Sequence, residues 1–333
     1  MVTVPGTDEQ FRLDPFEPAY LALLRDGRLG ARVAEARQAL ASCRLCPRAC
    51  GARRLEGTAG TCGIGRRARV ASAFPHMGEE DCLRGRHGSG TIFFAGCGLR
   101  CVFCQNADVS WLRTGQELEA EELASVFLDL QARGCHNLNL VTPSHVVPQA
   151  LEALLIAAGR GLRLPVVYNS SGYEAVSTLR LLDGVVDVYM PDFKFWREET
   201  AERYCRAAEY PARARKALLE MHRQVGPLRF NPGGLARRGV LVRPLVMPGL
   251  AEESRAILEW IAREVSPDTY VNVMDQYRPA WQVGQPDGEG GSLFSEIARR
   301  PRAGEMEAVR AGARRAGLWR FDERRPALSG AWC

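Results

Sequence analysis

Three cysteines, Cys97, Cys101 and Cys104, fall within eight residues in the pattern C-x3-C-x2-C, directly after the apolar run Thr91-Ile92-Phe93-Phe94-Ala95. Three thiolates at this spacing can hold three corners of an iron–sulfur cubane and leave one iron without a protein ligand. Ferredoxin-type runs close that corner with a fourth cysteine. An open iron is a place where a substrate or cofactor can bind. Buried thiols or half of a zinc site are the competing readings. The three lie, however, in a glycine-flanked, partly polar loop (Gly96 to Asn106) rather than on a periodic apolar face.

A second group precedes them: Cys43-Arg44-Leu45-Cys46-Pro47-Arg48-Ala49-Cys50, then Cys62 after a glycine-rich turn. Four thiolates in a small loop-rich unit suit tetrahedral zinc or an auxiliary iron–sulfur cluster, and spacing does not choose between them. Four reduced thiols packing a subdomain is the alternative. With few large apolar residues, such a unit folds only with its metal if it binds one. The chain has 11 cysteines. An odd number clustered at ligand spacing is not a secreted disulfide framework. Cys82, Cys135, Cys205 and Cys333 are scattered and read as bystanders.

Composition narrows the classes further. The chain is 333 residues long, 46% hydrophobic and 25% charged, which is ordinary for a globular protein. No apolar run approaches the roughly 18 residues that a membrane span needs, and Met1 to Asp14 lacks a basic start followed by an apolar core. A cytoplasmic protein without membrane contact is expected. The net charge is +5, and Lys194 and Lys216 are the only lysines among 44 basic residues. The arginine pairs sit in helical or turn contexts, so nucleic-acid binding is not expected.

These cysteines need a scaffold, and the pattern alternates to provide one. Strand-like runs cover Thr91 to Ala95, Leu138 to Thr142, Pro165 to Tyr168, Val185 to Met190, Val240 to Val246 and Tyr270 to Met274. Helix-like runs fall between or after them, from Glu121 to Arg133 through Gly304 to Ala316. Six βα repeats predict an α/β fold with a parallel sheet that curls into an incomplete barrel open at one side. The expected organisation is a helical lead-in (1–42), the cysteine-rich extension (43–65), a connector (66–90), the (β/α)6 barrel (91–320) and a C-terminal tail (321–333). Chemistry in such barrels gathers at the carboxyl ends of the strands. Those ends carry the cysteine loop, Thr142-Pro143-Ser144-His145, Asn169-Ser170-Ser171, Pro191-Asp192-Phe193-Lys194, Met247-Pro248-Gly249 and Asp275-Gln276-Tyr277-Arg278. The glycine-rich stretch from Gln282 to Ser292 reads as a mobile loop over the mouth or a plain solvent loop. His76 and His87 are candidate ligands or substrate contacts, although hydrogen-bonded surface histidines are commoner.

The cysteine loop, with Phe103 before its last cysteine, resembles that of the radical S-adenosylmethionine (SAM) superfamily. Further motifs (Gly88-Ser89-Gly90-Thr91-Ile92-Phe93-Phe94, Tyr168-Asn169-Ser170-Ser171-Gly172-Tyr173-Glu174, Pro191-Asp192-Phe193-Lys194 and Tyr270-Val271-Asn272-Val273-Met274-Asp275-Gln276-Tyr277) are similar to pyruvate formate-lyase activase-like members. The resemblance implies a radical SAM barrel in which Cys97, Cys101 and Cys104 bind a [4Fe-4S] cluster and SAM chelates the open iron. It places Phe103 against adenine, and Asn169, Ser170, Asp192 and Lys194 at the methionine part of SAM. The family's Gly-Gly-Glu segment after the second strand is replaced here by Val141-Thr142-Pro143-Ser144-His145, where Thr142 and Ser144 can supply oxygens.

The implied activity is reductive cleavage of SAM to a 5′-deoxyadenosyl radical that abstracts a substrate hydrogen atom, fed by a low-potential donor such as flavodoxin or ferredoxin. Three uses of that chemistry stay open. One is activation of a glycyl radical enzyme, with a protein or peptide as substrate. A second is modification of a peptide, RNA or small molecule, with Gln276, Tyr277 and Arg278 as contacts. The third is a non-catalytic iron–sulfur or zinc protein.

Overall fold

Six strands run parallel in the computed structural model, which describes residues 8–322. They are β2 (Ser89–Phe94), β4 (Leu138–Val141), β5 (Val166–Ser170), β6 (Val188–Phe193), β8 (Ala236–Pro244) and β9 (Tyr270–Val271), each paired with the next. Residues 1–7 of the expected lead-in and 323–333 of the expected tail lie outside the described residues. Most positions of β4, β5 and β6 are buried, as expected for parallel strands covered on both faces, and this is why they read as continuous apolar runs. Helices α5 (Ala120–Ala132), α6 (Val147–Gly159), α7 (Val176–Leu181), α8 (Glu198–Cys205), α9 (Tyr210–Val225), α10 (Ala251–Trp260) and α11 (Ala303–Arg315) alternate with the strands. In α9 the buried residues Tyr210, Ala214, Ala217, Leu218, Met221 and Val225 recur at the three-to-four spacing of one helical face. The (β/α)6 architecture expected from the sequence is therefore present. No helix among the described residues is long and apolar enough to cross a membrane.

The segment 66–90 is not merely a connector. It contains β1 (Ala68–His76), antiparallel to β2, and α3 (Asp81–Arg84). β3 (Gln116–Leu118) adds to the outer edge of β1, after the short α4 (Ala107–Ser110), and the two-residue β7 (Arg229–Phe230) pairs with β8. The small residues of β1, Pro75 within it and a bulge between Val70 and Ser72 conceal the strand in sequence. α3 lies near the open side of the barrel: Asn272, just after β9, donates to the Glu80 carboxylate at 2.8 Å. Cys82 and Leu83 of α3 bury in a second core with Val188, Met190, Leu241 and Tyr270.

The lead-in forms α1 (Tyr20–Arg25) and α2 (Arg28–Gln38), broken at Gly27 with its φ of +77. They are anchored from below the sheet: Asp187 accepts from the backbone N–H of Ala19 (2.9 Å) and of Val166 (3.0 Å). Between β5 and β6, Gly172 has φ +76, and a Cβ there would lie 2.2 Å from the Asp192 carbonyl oxygen. Gly172→Ala should therefore cost at least about 2 kcal/mol in denaturant unfolding, because the backbone of β6 has to move.

Candidate active site

The cysteine loop leaves β2 through Gly96, whose φ of +81 only glycine adopts without strain. Its apolar residues hold it down while its thiols face outward. Leu99, Val102 and Phe103 are buried, whereas Cys97, Cys101 and Cys104 are half-buried. The Val102 N–H donates to the Tyr204 carbonyl (2.9 Å), and the Trp111 indole donates to the Cys101 carbonyl (3.1 Å). Arg48 clamps the loop from the cysteine-rich extension, donating to the carbonyls of Gly98 (2.8 Å) and Leu99 (3.1 Å) and to that of Cys205 (2.8 Å).

All three thiols line one cleft of about 560 Å³ at the carboxyl ends of the parallel strands, together with Thr142, Asn169, Ser170, Asp192, Lys194 and Gln276. The sequence reading picked each of these residues. Phe103 is instead buried between Phe195 and Tyr277, with ring centroids 5.9 Å away in each case. Ser144 is buried and donates to Glu174. Tyr277 is buried with its hydroxyl on the Ile297 carbonyl (2.9 Å), and Arg278 is exposed outside the cleft lining. The loop from Gln282 to Ser292 closes on itself, with Asp287 accepting from the N–H groups of Glu289 and Gly291, and does not line the cleft. His76 lines the cleft and His87 packs on His136.

The residue that sequence reasoning missed is Arg243. It is in register with Asp192 on the neighbouring strand and donates to Asp192 (2.9 Å) and to the Asn169 side-chain oxygen (2.7 Å). Lys194 pairs with the other oxygen of Asp192 at 2.5 Å. Glu79 and Glu80 approach Arg243 at 3.9 and 3.8 Å. Burial works to raise the Asp192 pKa, but Arg243 and Lys194 outweigh it and hold the carboxyl below its usual range. Burial likewise works against the Lys194 charge, and Asp192 more than restores it. The signal was present as a lone arginine ending the apolar run Val240-Leu241-Val242. The sequence reading ran that strand on to Val246, so that the residues beyond its end began at Met247.

Thr142 has φ +58, an unfavourable conformation for a β-branched residue. Strain of this kind is concentrated at ligand sites. It turns the chain after β4 so that Thr142 lines the cleft while Ser144 faces inward to Glu174. Burial lifts the Glu174 carboxyl to about 7 against hydrogen bonds from Ser144, Tyr168 and Ser170. The unfolded carboxyl ionises near 4.5, so its contribution to stability is present below that pH and is lost as pH rises through about 7. Wild type should therefore lose about 2 kcal/mol relative to Glu174→Gln between about pH 5.5 and pH 8. Unfolding free energies of the two proteins at both pH values check this.

Burial pushes the Cys97 thiol up to about 12 and raises Cys104. The adjacent Cys205 sulfur, 3.4 Å away, and burial raise Cys101. Cys205 thus lies beside the loop, although its position in the sequence gave no sign of it. Opposing the burial are N–H groups aimed at sulfur, from Leu99 and Arg100 to Cys97 and from Asn106 to Cys104. Bound metal takes the protons off such thiols. Among the described residues, no three Cys, His, Asp or Glu side chains converge as a single ion requires. A cubane offers a separate iron to each thiolate, so the loop has only to bring three thiols to one cavity. The donor set and the cleft fit a [4Fe-4S] cluster.

Residues 91–261 match the Radical SAM superfamily. Over 295 residues, the chain is 30% identical to an uncharacterized protein of Methanocaldococcus jannaschii, covering 86% of this chain and 81% of that protein. A stretch of 37 residues is 51% identical to a pyruvate formate-lyase-activating enzyme of Clostridium pasteurianum, covering 11% of this chain and 16% of that enzyme. Among solved structures, the chain is similar to the radical S-adenosylmethionine methyltransferase TsrM from Kitasatospora setae, with a TM-score of 0.42 and 15% identity. That match covers 67% of this chain and 46% of the methyltransferase chain.

Proposed function

Because the chain belongs to the radical SAM superfamily, we propose that its cleft holds a [4Fe-4S] cluster on Cys97, Cys101 and Cys104, with SAM beside it, and reductively cleaves SAM to remove a hydrogen atom from a substrate. The observation that carries this reading is the single cleft that joins the three thiols to Asn169, Asp192, Lys194 and Arg243. When bound, the cluster supplies the electron that breaks SAM into methionine and a 5′-deoxyadenosyl radical. The protein's own residues do the positioning. Lys194 and Arg243 present cationic groups suited to the SAM carboxylate, and the oxygens of Thr142, Ser170 and Asn169 suit its ammonium group. Phe93, Phe94, Leu99 and Val141 give the cleft an apolar wall that limits water near the radical. Phe103 supports the loop from below.

A flavodoxin or ferredoxin is the electron donor in this reading. The substrate is a partner polypeptide, and the reaction is glycyl radical formation as carried out by activating enzymes. The 37-residue similarity supports this choice and rests on family likeness. Co-expression with a candidate partner tests it. A glycyl-type electron-spin signal on the partner that requires this protein is the expected result. SAM cleavage without such a signal favours modification of a peptide, RNA or small molecule. Absence of SAM cleavage by reduced, cluster-loaded protein leaves only the non-catalytic reading.

A further inference from the structure

The extension 43–65 carries four cysteines that the cleft does not use. Its own core is only Leu40, Cys43 and Leu45, while Cys62 and Ile64 join the main core. Leu55 is exposed, and the cysteines form no disulfide. The backbone nevertheless folds them together: the Gly51 N–H donates to the Cys43 carbonyl (2.9 Å), the Ala49 N–H to that of Cys46 (3.0 Å) and the Gly63 N–H to that of Gly60 (2.9 Å). Cys50 closes over Gly60, where a Cβ would lie 2.2 Å from its sulfur.

One observation indicates what the sulfurs hold. The Arg54 side chain is fully buried. It donates to the carbonyls of Gly65 (2.9 Å) and His145 (2.7 Å), and its Nη1 lies 3.8 Å from the Cys43 sulfur. Its Nη2 has no hydrogen-bond partner, and among the described residues it pairs with no carboxylate. A buried cation without a counter-charge is expensive, and an anionic all-thiolate metal centre provides one. Among the described residues no three Cys, His, Asp or Glu side chains converge as a single zinc ion requires, at these four thiols as at the cluster loop.

We propose that Cys43, Cys46, Cys50 and Cys62 bind a second, fully ligated [4Fe-4S] cluster packed against the back of the loop that carries the first. Contact between the two is direct: a Cβ on Gly98 would lie 3.1 Å from the Cys46 sulfur, and Arg48 clamps the loop. Cys50 is exposed. The second cluster folds the extension and thereby holds that clamp. It does not depend on SAM cleavage, so the two readings fail separately.

The test counts iron, sulfide and zinc in full-length protein purified without oxygen. Wild type should hold about eight irons, and the variants Cys97→Ala/Cys101→Ala/Cys104→Ala and Cys46→Ala/Cys62→Ala about four each. Retention of the other cluster's iron shows that each variant has folded. The corresponding serine variants serve if an alanine variant precipitates. The proposal is overturned if the loop variant holds no iron, or about one zinc in its place, or if Cys46→Ala/Cys62→Ala keeps all the wild-type iron. Wild-type iron content in the loop variant would instead overturn the assignment of the first cluster.

Discussion

Replacing Cys101 by alanine should abolish 5′-deoxyadenosine formation and remove about four irons per chain. In the proposed site Cys101 is the middle donor of a loop with one thiol for each of three irons, and its carbonyl is braced by Trp111. Two remaining thiolates leave two irons without protein ligands. Cys205, 3.4 Å from Cys101, is near enough to substitute, so Cys101→Ala should be measured alone and with Cys205→Ala. Visible absorption, iron content and product formation should fall together. SAM cleavage retained in the double variant would refute the ligand assignment.

Arg243→Met should have the next largest effect, on both stability and activity. The guanidinium bridges Asp192 and Asn169 across adjacent strands, and all three are largely buried. Removing one partner of a buried pair costs about 3–5 kcal/mol, because Asp192 then has only Lys194 to offset its burial. The cleft also loses the group that aligns Asn169 with Asp192. Misplacement of about 1 Å at such a site costs on the order of 100-fold in rate. Arg243→Lys keeps the charge but cannot reach both acceptors in the same way, so it should recover part of the stability and less of the rate. Unfolding midpoints, SAM binding and 5′-deoxyadenosine rates on iron-loaded proteins measure this. Wild-type SAM affinity and rate in Arg243→Met would show that the network is only structural.

The parts of the fold visible in the sequence were those with regular chemistry. Val166-Val167-Tyr168 and Val188-Tyr189-Met190 are buried on both faces and so appear as unbroken apolar runs. The α9 face repeats at helical spacing. The cysteine loop was visible from its spacing, and Asp192 and Lys194 because they follow a clear strand. Less regular features were hidden. β1 is built from small residues with a proline and a bulge, and its place in the sheet depends on β2 across a long loop. Arg243 looked like one arginine among many until the register set it beside Asp192. Ser144 and Phe103 lie at positions where the resembling family contacts SAM. Here the inward turn after Thr142 and the aromatic packing beneath the loop direct both side chains away from the cleft.

The central claim is that this cleft cleaves SAM, and product analysis tests it most directly. Iron-loaded protein, prepared without oxygen and reduced with a low-potential donor, is incubated with SAM, and 5′-deoxyadenosine and methionine are quantified. The account predicts both products from wild type and neither from Cys101→Ala/Cys205→Ala. Fully iron-loaded, reduced wild-type protein that binds SAM and yields no 5′-deoxyadenosine would contradict it.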